Sequence, residues 1–256
     1  MDWTQNFYTR QFKLLESTEA WSRFFPAPPP AHRVRRAEAV ERLSGPGIKR
    51  VLELGAGGGL TAGAMALRGH SVVAVDIVDE AATSARRIAA QITAGKMRVV
   101  QGDFYEIELD GTFDVVCYFD GFGIGSDADQ RRLLRRIAEW TKPGGCALID
   151  VYFPGWLSEL SELTSEVYRE GNAFCRDEFD LDGWRLRNSI WSIDEDESQA
   201  TTQSLRNYSP ADFRLLLMGT GLRMQRYEPY ESSFQFEEIV PLSKAEIFLA
   251  KLVHDE

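Results

Sequence analysis

The sequence predicts an α/β fold, a doubly wound and mostly parallel sheet that carries an antiparallel β lid, and three observations predict it. The apolar run Arg50 to Leu54 passes through Gly55-Ala56-Gly57-Gly58-Gly59 into Leu60 to Leu67, the pattern of a buried parallel strand, a tight turn and a helix. The same rhythm of short apolar run and longer amphipathic segment recurs as far as Tyr152. Beyond Tyr152 it gives way to alternating polar and apolar residues set between turn signals, which reads as an antiparallel meander.

In chain order, residues Met1 to Phe25 carry Trp3, Phe7, Tyr8, Phe12, Trp21, Phe24 and Phe25 at partly helical spacing, so this segment is expected to pack on the body before Pro26 to Pro30 stop it. Val34, Ala37, Val40 and Leu43 form one face of a helix from Arg33 to Leu43, ended by Ser44-Gly45-Pro46-Gly47. The first strand and the glycine loop follow. Gly55, Gly57 and Gly59 tolerate positive φ, so a ligand can approach the backbone at the start of the next helix, where free N–H groups point outward. Glu53 suits an ammonium group better than a pyrophosphate, which amides and helix N-terminus would hold unaided. Leu60 also stands where the dinucleotide fingerprint counted from Gly55 requires glycine.

A second strand, Ser71 to Asp76, ends on a carboxylate about 20 residues past the loop, the place from which doubly wound folds reach a ribose. A helix over 80–92 leads to a third strand, Lys96 to Gln101, and to Gly102-Asp103-Phe104. The fourth strand, Phe113 to Phe119, runs into Asp120-Gly121-Phe122-Gly123; ligands lie outside the carboxyl ends of such strands, which points Phe119 and Asp120 at the site. A helix over 129–140, the turn Lys142-Pro143-Gly144-Gly145 and a fifth strand, Cys146 to Tyr152, complete this half.

A helix is expected from Trp156 to Glu170, then strands over 173–180, 184–193 and 201–206, parted by Asp182-Gly183 and by Asp194 to Glu197, a solvated hairpin tip. Ser209-Pro210 caps a helix over 211–218, and two last strands, Leu222 to Tyr230 and Ile247 to Val253, close the sheet.

With 256 residues, 44% of them hydrophobic, the chain can bury one large core. A net charge of −10 and a pI near 5.0 disfavour nucleic acid and anionic membrane as partners, since both need clustered Lys and Arg. A neutral or cationic small molecule fits better. Cys117, Cys146 and Cys175 are odd in number and without metal-ligand spacing, as expected of free thiols in a reducing cytoplasm. No signal peptide or membrane-length apolar run is read, so no membrane association is expected.

The segment Val51-Leu52-Glu53-Leu54-Gly55-Ala56-Gly57-Gly58-Gly59 resembles motif I of the class I S-adenosylmethionine-dependent methyltransferases, and Asp76, Gly102-Asp103-Phe104 and Pro143-Gly144-Gly145 match later motifs in order. The motifs cover residues 33–153; the rest follows by order of elements. The resemblance implies a seven-stranded Rossmann-like sheet with its last strand antiparallel. It divides the chain into an N-terminal helical cap (1–32), a cofactor-binding domain (33–153 and 207–256) and a substrate lid (154–206).

It also implies S-adenosylmethionine as cofactor: Glu53, Gly55, Ala56 and Gly57 at the methionine moiety, Asp76 and Ile77 at the ribose, Asp103 and Phe104 at the adenine, and Phe119 near the methyl donor. Tyr8 and Arg10 are carried over as ligands of the methionine carboxylate from a helix that folds over the cofactor. An Asn/Asp-Pro-Pro-Tyr-like turn would stand at Phe119-Asp120-Gly121-Phe122 in enzymes acting on DNA bases or protein glutamine, so its absence argues for a small-molecule acceptor. The histidines are His32, His70 and His254, of which only His32 is open as a base; an amine acceptor needs little base, so nitrogen is favoured over oxygen. Tyr152, Asp120 and Tyr208 are the candidates to orient or deprotonate it.

Trp156, Phe174, Phe179, Trp184 and Trp191 suit a box for a ring or a cation. They suit equally an apolar sheet face packed on the body or on a second copy, which would make a homodimer. Two other functions stay open at this level: an oxidoreductase using the loop for NAD, which Leu60 and Glu53 oppose, and a cofactor-binding partner subunit without catalysis.

Overall fold

A computed structural model describes residues 2–16, 29–156, 167–232 and 238–255 of the chain. Its frame is a seven-stranded sheet built from β1 (Arg50–Leu54), β2 (Ser71–Asp76), β3 (Lys96–Gln101), β4 (Phe113–Tyr118), β5 (Thr141–Tyr152), β10 (Leu222–Tyr230) and β11 (Ile247–His254). The strands lie in the order β3-β2-β1-β4-β5-β11-β10. The four pairings among β1 to β5 are parallel, and β11 runs antiparallel to both β5 and β10.

Because side chains alternate across a strand, each strand feeds two apolar layers. Val51, Val72, Val115 and Leu148 pack on one side against α2 (Ala31–Ser44) and α3 (Leu60–Leu67), through Ala37, Val40, Leu43 and Met65. Leu52, Val73 and Val116, one residue on, and Ala147, one residue back, pack on the other side against α5 (Asp127–Trp140) and α6 (Pro210–Leu217), through Leu133, Ile137, Phe213 and Leu216. Near-continuous apolar strands are therefore required by burial on both faces. Both helices of the second layer begin with reciprocal caps, Ser126 with Asp129 and Ser209 with Asp212. Gly59 lets α3 approach α4 (Asp79–Ala89): its φ is +83°, and a Cβ there would lie 2.7 Å from Ala85 Cβ.

The lid is a separate four-stranded antiparallel sheet in the order β6-β7-β8-β9, from β6 (Val167–Glu170), β7 (Ala173–Asp180), β8 (Arg185–Ser192) and β9 (Thr201–Arg206). The helix expected to reach Glu170 is corrected at its end: Val167 to Glu170 are a strand, folded back on β7 through a two-residue turn, Gly171-Asn172, with Gly171 at φ +60°. The middle of that expected helix, and Trp21, Phe24 and Phe25 of the expected cap, lie outside the described residues. Of residues 1–32, the described N-terminal part forms α1 (Asp2–Glu16), which packs on β9 and α4. No described helix is long and apolar enough to cross a membrane.

Candidate active site

The carboxyl ends of β1, β2, β3 and β4 open onto one cavity of about 560 Å³, roofed by the lid and by α1. That volume is in the range of small-molecule sites.

The glycine loop is held from beneath. Asp76 Oδ2 accepts from the Gly57 amide at 2.7 Å and Oδ1 accepts from the Val78 amide at 2.9 Å, so one carboxylate fixes both the loop and the start of α4. Gly57 itself has φ +52° and open space where a Cβ would stand. Beyond β3, Asp103 Oδ1 accepts from the Tyr105 amide at 2.8 Å, and the Phe104 ring stands edge-on to Tyr118, 5.4 Å between centroids. The result is a flat apolar slot with a carboxylate at its side.

At the end of β1, Glu53 is 3% exposed, and its Oε2 has no hydrogen-bond partner among the described residues. Burial pushes its carboxyl up to about 8 against the pull of Arg33 and Arg36. Arg33, from the first turn of α2, lines the same cavity with a buried Nε that makes no hydrogen bond. Burial and the neighbouring Arg36 lower it, while Asp120 and Glu53 act in the opposite sense. A buried carboxylate oxygen and a buried guanidinium Nε, neither with a hydrogen-bond partner among the described residues, are complementary to a ligand bearing an ammonium and a carboxylate.

After β4, Asp120 holds φ +63°, a left-handed conformation rare outside glycine. Its amide donates to Asp150 Oδ1 at 2.5 Å, and Tyr152 Oη donates to its Oδ1 at 2.6 Å. Arg36, fully buried beneath, reaches Asp150 Oδ2 at 3.0 Å and Asp120 Oδ2 at 3.9 Å. Burial alone would raise the Asp120 carboxyl; Arg36, Arg33 and the Tyr152 hydroxyl outweigh it and hold the group below the usual range.

Period-two alternation decides which lid residues face inward. Tyr168 and Glu170, Cys175 and Asp177, Asn188 and Ile190, and Gln203 and Leu205 line the cavity. Tyr168 Oη and Asn188 Nδ2 both donate to Asp177, at 3.0 and 2.6 Å, and Tyr8 Oη on α1 donates to Gln203 Oε1 at 2.6 Å. The aromatic box does not form here. Phe174 packs against Trp191 and Phe179 against Trp184 in tilted pairs, and neither pair lines the cavity; the Trp156 side chain lies outside the described residues.

Of the residues expected at the site, Tyr8, Glu53, Gly55, Ala56, Gly57, Asp76, Ile77, Asp103, Phe104, Phe119, Asp120 and Tyr152 all line this cavity. Arg10 and Tyr208 differ from expectation. Arg10 pairs with Glu195 in the β8–β9 connection, and Tyr208 is buried with its hydroxyl donating to Asp127 at 2.7 Å, so neither reaches the cavity. Arg33 and Glu246 were missed. Arg33 reads in sequence as one more charge on an amphipathic helix, and Glu246 as part of a linker; only the register Ile247 opposite Tyr152 brings it to the site. Among the described residues, seven carboxylates and one guanidinium line the cavity, which disfavours a polyanionic occupant. No metal-binding cluster occurs among the described residues.

Residues 51–145 match a family model described as "Methyltransferase domain". The chain is 35% identical to the cypemycin N-terminal methyltransferase of a Streptomyces species, over 41% of this chain and 43% of the relative. It is 32% identical to the ubiquinone biosynthesis O-methyltransferase of Rickettsia prowazekii (strain Madrid E), over 39% and 38%. The match thus spans less than half the length of these curated relatives. Among solved structures, the CcbJ methyltransferase of Streptomyces caelestis superposes with a TM-score of 0.75 at 20% identity, covering 98% of both chains. The glycopeptide N-methyltransferase MtfA in complex with S-adenosylmethionine gives 0.60 at 21%, covering 90% of this chain and 96% of its own. These likenesses show the Rossmann-like fold of the methyltransferases.

Proposed function

From residues 51–145, which form a methyltransferase domain of the class I S-adenosylmethionine-dependent kind, we infer that the chain transfers a methyl group to a small-molecule acceptor, on nitrogen in preference to oxygen. The observation that carries this reading is that Glu53 Oε2 and Arg33 Nε, buried and without hydrogen-bond partners among the described residues, share one cavity with Asp76, Asp103 and Phe104.

The residues fit the cofactor. Glu53 Oε2 is an orphaned acceptor for an ammonium group, and Arg33 an orphaned donor for a carboxylate. The space above Gly57 admits a ligand where any side chain would intrude. Asp76 would take the ribose hydroxyls, and Asp103 with the Phe104 backbone the adenine edge. When bound, S-adenosylmethionine supplies a methyl group activated by its sulfonium charge. The protein's part is to bind, align and keep water out. Asp120 and Tyr152 stand at the mouth of β4 and β5, where the acceptor must present its nucleophilic atom for in-line displacement.

In this reading residues 1–32 are a cap, 154–206 the substrate lid and the remainder the cofactor domain. Two of the four similar proteins are named as N-methyltransferring and one as O-methyltransferring; the acid-rich lining adds weight to nitrogen, because an amine is the cationic acceptor. The test is calorimetry and thermal melting with S-adenosylhomocysteine. Micromolar binding and a raised Tm are expected; stabilisation by NADH instead, or by neither, would overturn the reading.

A further inference from the structure

A protonated amine is not a nucleophile, so an enzyme that methylates one at neutral pH must hold a group that can take its proton. No histidine among the described residues lines the cavity. Among its acceptor-side carboxylates, Asp120 and Asp177 are each bound by hydrogen bonds from tyrosine or asparagine, and Glu170 is exposed. Glu246 is different. It is half-buried, immediately before β11, and its backbone is pinned on both sides: its amide donates to Tyr230 at 3.1 Å, and its carbonyl accepts from Phe153 at 2.8 Å. Its carboxylate makes no hydrogen bond or ion pair with the described residues, yet lines the cavity beside Asp120 and Tyr152. Glu53 Oε2, the other carboxylate oxygen here without a partner among the described residues, is taken by the cofactor's ammonium group in the reading above, which leaves Glu246 for the acceptor.

Resting on the methyltransferase reading, we propose that Glu246 is the catalytic base: its carboxylate removes a proton from a protonated primary or secondary amine held between Asp120, Tyr152 and the lid. One N–H bond breaks and an O–H bond forms on Glu246. The freed lone pair forms the N–CH3 bond as the S–CH3 bond breaks, and that bond's electrons stay on sulfur. The methylated amine leaves as an ammonium ion, and the Glu246 proton passes to solvent.

The surroundings suit the task. Burial, then Asp120 and Asp150, push the Glu246 carboxyl up to about 7, where base strength and availability at neutral pH are balanced. The charged and titratable groups packed around it are Asp120 after β4 and Asp150 and Tyr152 on β5, with Arg36 engaged by Asp150 and Asp120. Asp120, kept ionised by Arg36, would hold the positive charge of the amine while Glu246 takes the proton.

The experiment compares wild type, Glu246→Gln and Glu246→Asp in the full chain. S-adenosylhomocysteine affinity is measured by calorimetry, the Glu246 side-chain titration by carbon-13 NMR, and kcat/KM between pH 6 and 9.5 with a panel of primary and secondary amines, amino sugars among them, alongside the isosteric alcohols. Glu246→Gln is expected to bind S-adenosylhomocysteine within about twofold of wild type and to lose roughly 100-fold in kcat/KM at pH 7, regaining most of it toward pH 9.5 as the free amine deprotonates unaided. Glu246→Asp should recover part of the loss at pH 7. An unchanged pH profile in Glu246→Gln, a wild-type Glu246 midpoint below 5, or turnover of alcohols and no amine while S-adenosylhomocysteine still binds would each overturn the proposal. Failure of wild type to bind S-adenosylhomocysteine would instead sink the cofactor reading beneath it.

Discussion

Tyr152 and Asp120 are locked together across two neighbouring strands: the tyrosine hydroxyl at the end of β5 donates to Asp120 Oδ1 at 2.6 Å, in a turn where Asp120 keeps φ +63°. A non-glycine residue holds such a conformation only where its surroundings fix it, and here the fixing groups are Tyr152, Asp150 and Arg36. Tyr152→Phe keeps the ring and removes the hydrogen bond to a charged acceptor. It is expected to lower unfolding stability by about 1–2 kcal/mol in denaturant melts and to slow methyl transfer, while leaving S-adenosylhomocysteine affinity within twofold. A variant as stable and as active as wild type would show that the pair does not hold the turn.

Glu53 makes stability depend on pH. Its carboxyl is raised in the folded protein to about 8 from an ordinary 4.5, so between these values the folded state holds a proton that the unfolded state has released. The ligand-free protein should therefore be more stable below pH 4.5, as far as this group goes, and lose that contribution as pH rises to 8. Glu53→Gln removes the dependence. It should raise the ligand-free Tm at pH 8, by an amount equivalent to roughly 4 kcal/mol, with little gain at pH 5, and should weaken S-adenosylhomocysteine at least tenfold. A Tm difference that does not vary with pH would refute the assignment of the raised carboxyl.

Glu53, Asp76 and Asp103 were legible because each ends an apolar strand, and in a parallel sheet the carboxyl ends share one edge; order along the chain was enough to bring them together. Arg33 and Glu246 were not, because they reach that edge from elements whose placement depends on packing. Arg33 depends on how α2 crosses the sheet, and Glu246 on the antiparallel entry of β11 beside β5. The inward face of the lid was left open for a different reason. Its aromatics stand out by composition, but the face toward the cavity is set by parity along each strand. That parity selects Cys175 and Asp177 over Phe174, and Asn188 and Ile190 over Trp191.

Arg33 separates cofactor binding from folding. Its buried Nε makes no hydrogen bond with the described residues, so Arg33→Met breaks no hydrogen bond at that atom. The ligand-free variant should melt at the wild-type temperature or slightly above, with S-adenosylhomocysteine weakened about 50-fold or more by calorimetry. Arg33→Lys should recover little of that, because an ammonium lacks the planar fork that matches a carboxylate. Undiminished affinity in Arg33→Met would remove Arg33 from the binding site.

Two glycines of one loop should fail in opposite ways. At Gly59 a Cβ would meet Ala85 Cβ at 2.7 Å and Ala85 Cα at 2.9 Å, with φ at +83°, so Gly59→Ala must push α3 from α4. Overpacking added to backbone strain makes a loss of about 2–4 kcal/mol in unfolding free energy the expected result. At Gly57 nothing lies within 4 Å of the same added atom, and only φ +52° resists it. Gly57→Ala should therefore cost about 1 kcal/mol but place a methyl group where the ligand must lie against the Asp76-bound amide, weakening S-adenosylhomocysteine far more than Gly59→Ala does in the folded fraction. The two effects are read independently, stability from denaturant melts and affinity from calorimetry below the melting range. If Gly57→Ala proved the more destabilised of the two and the better binder, the space above Gly57 would not be the cofactor's.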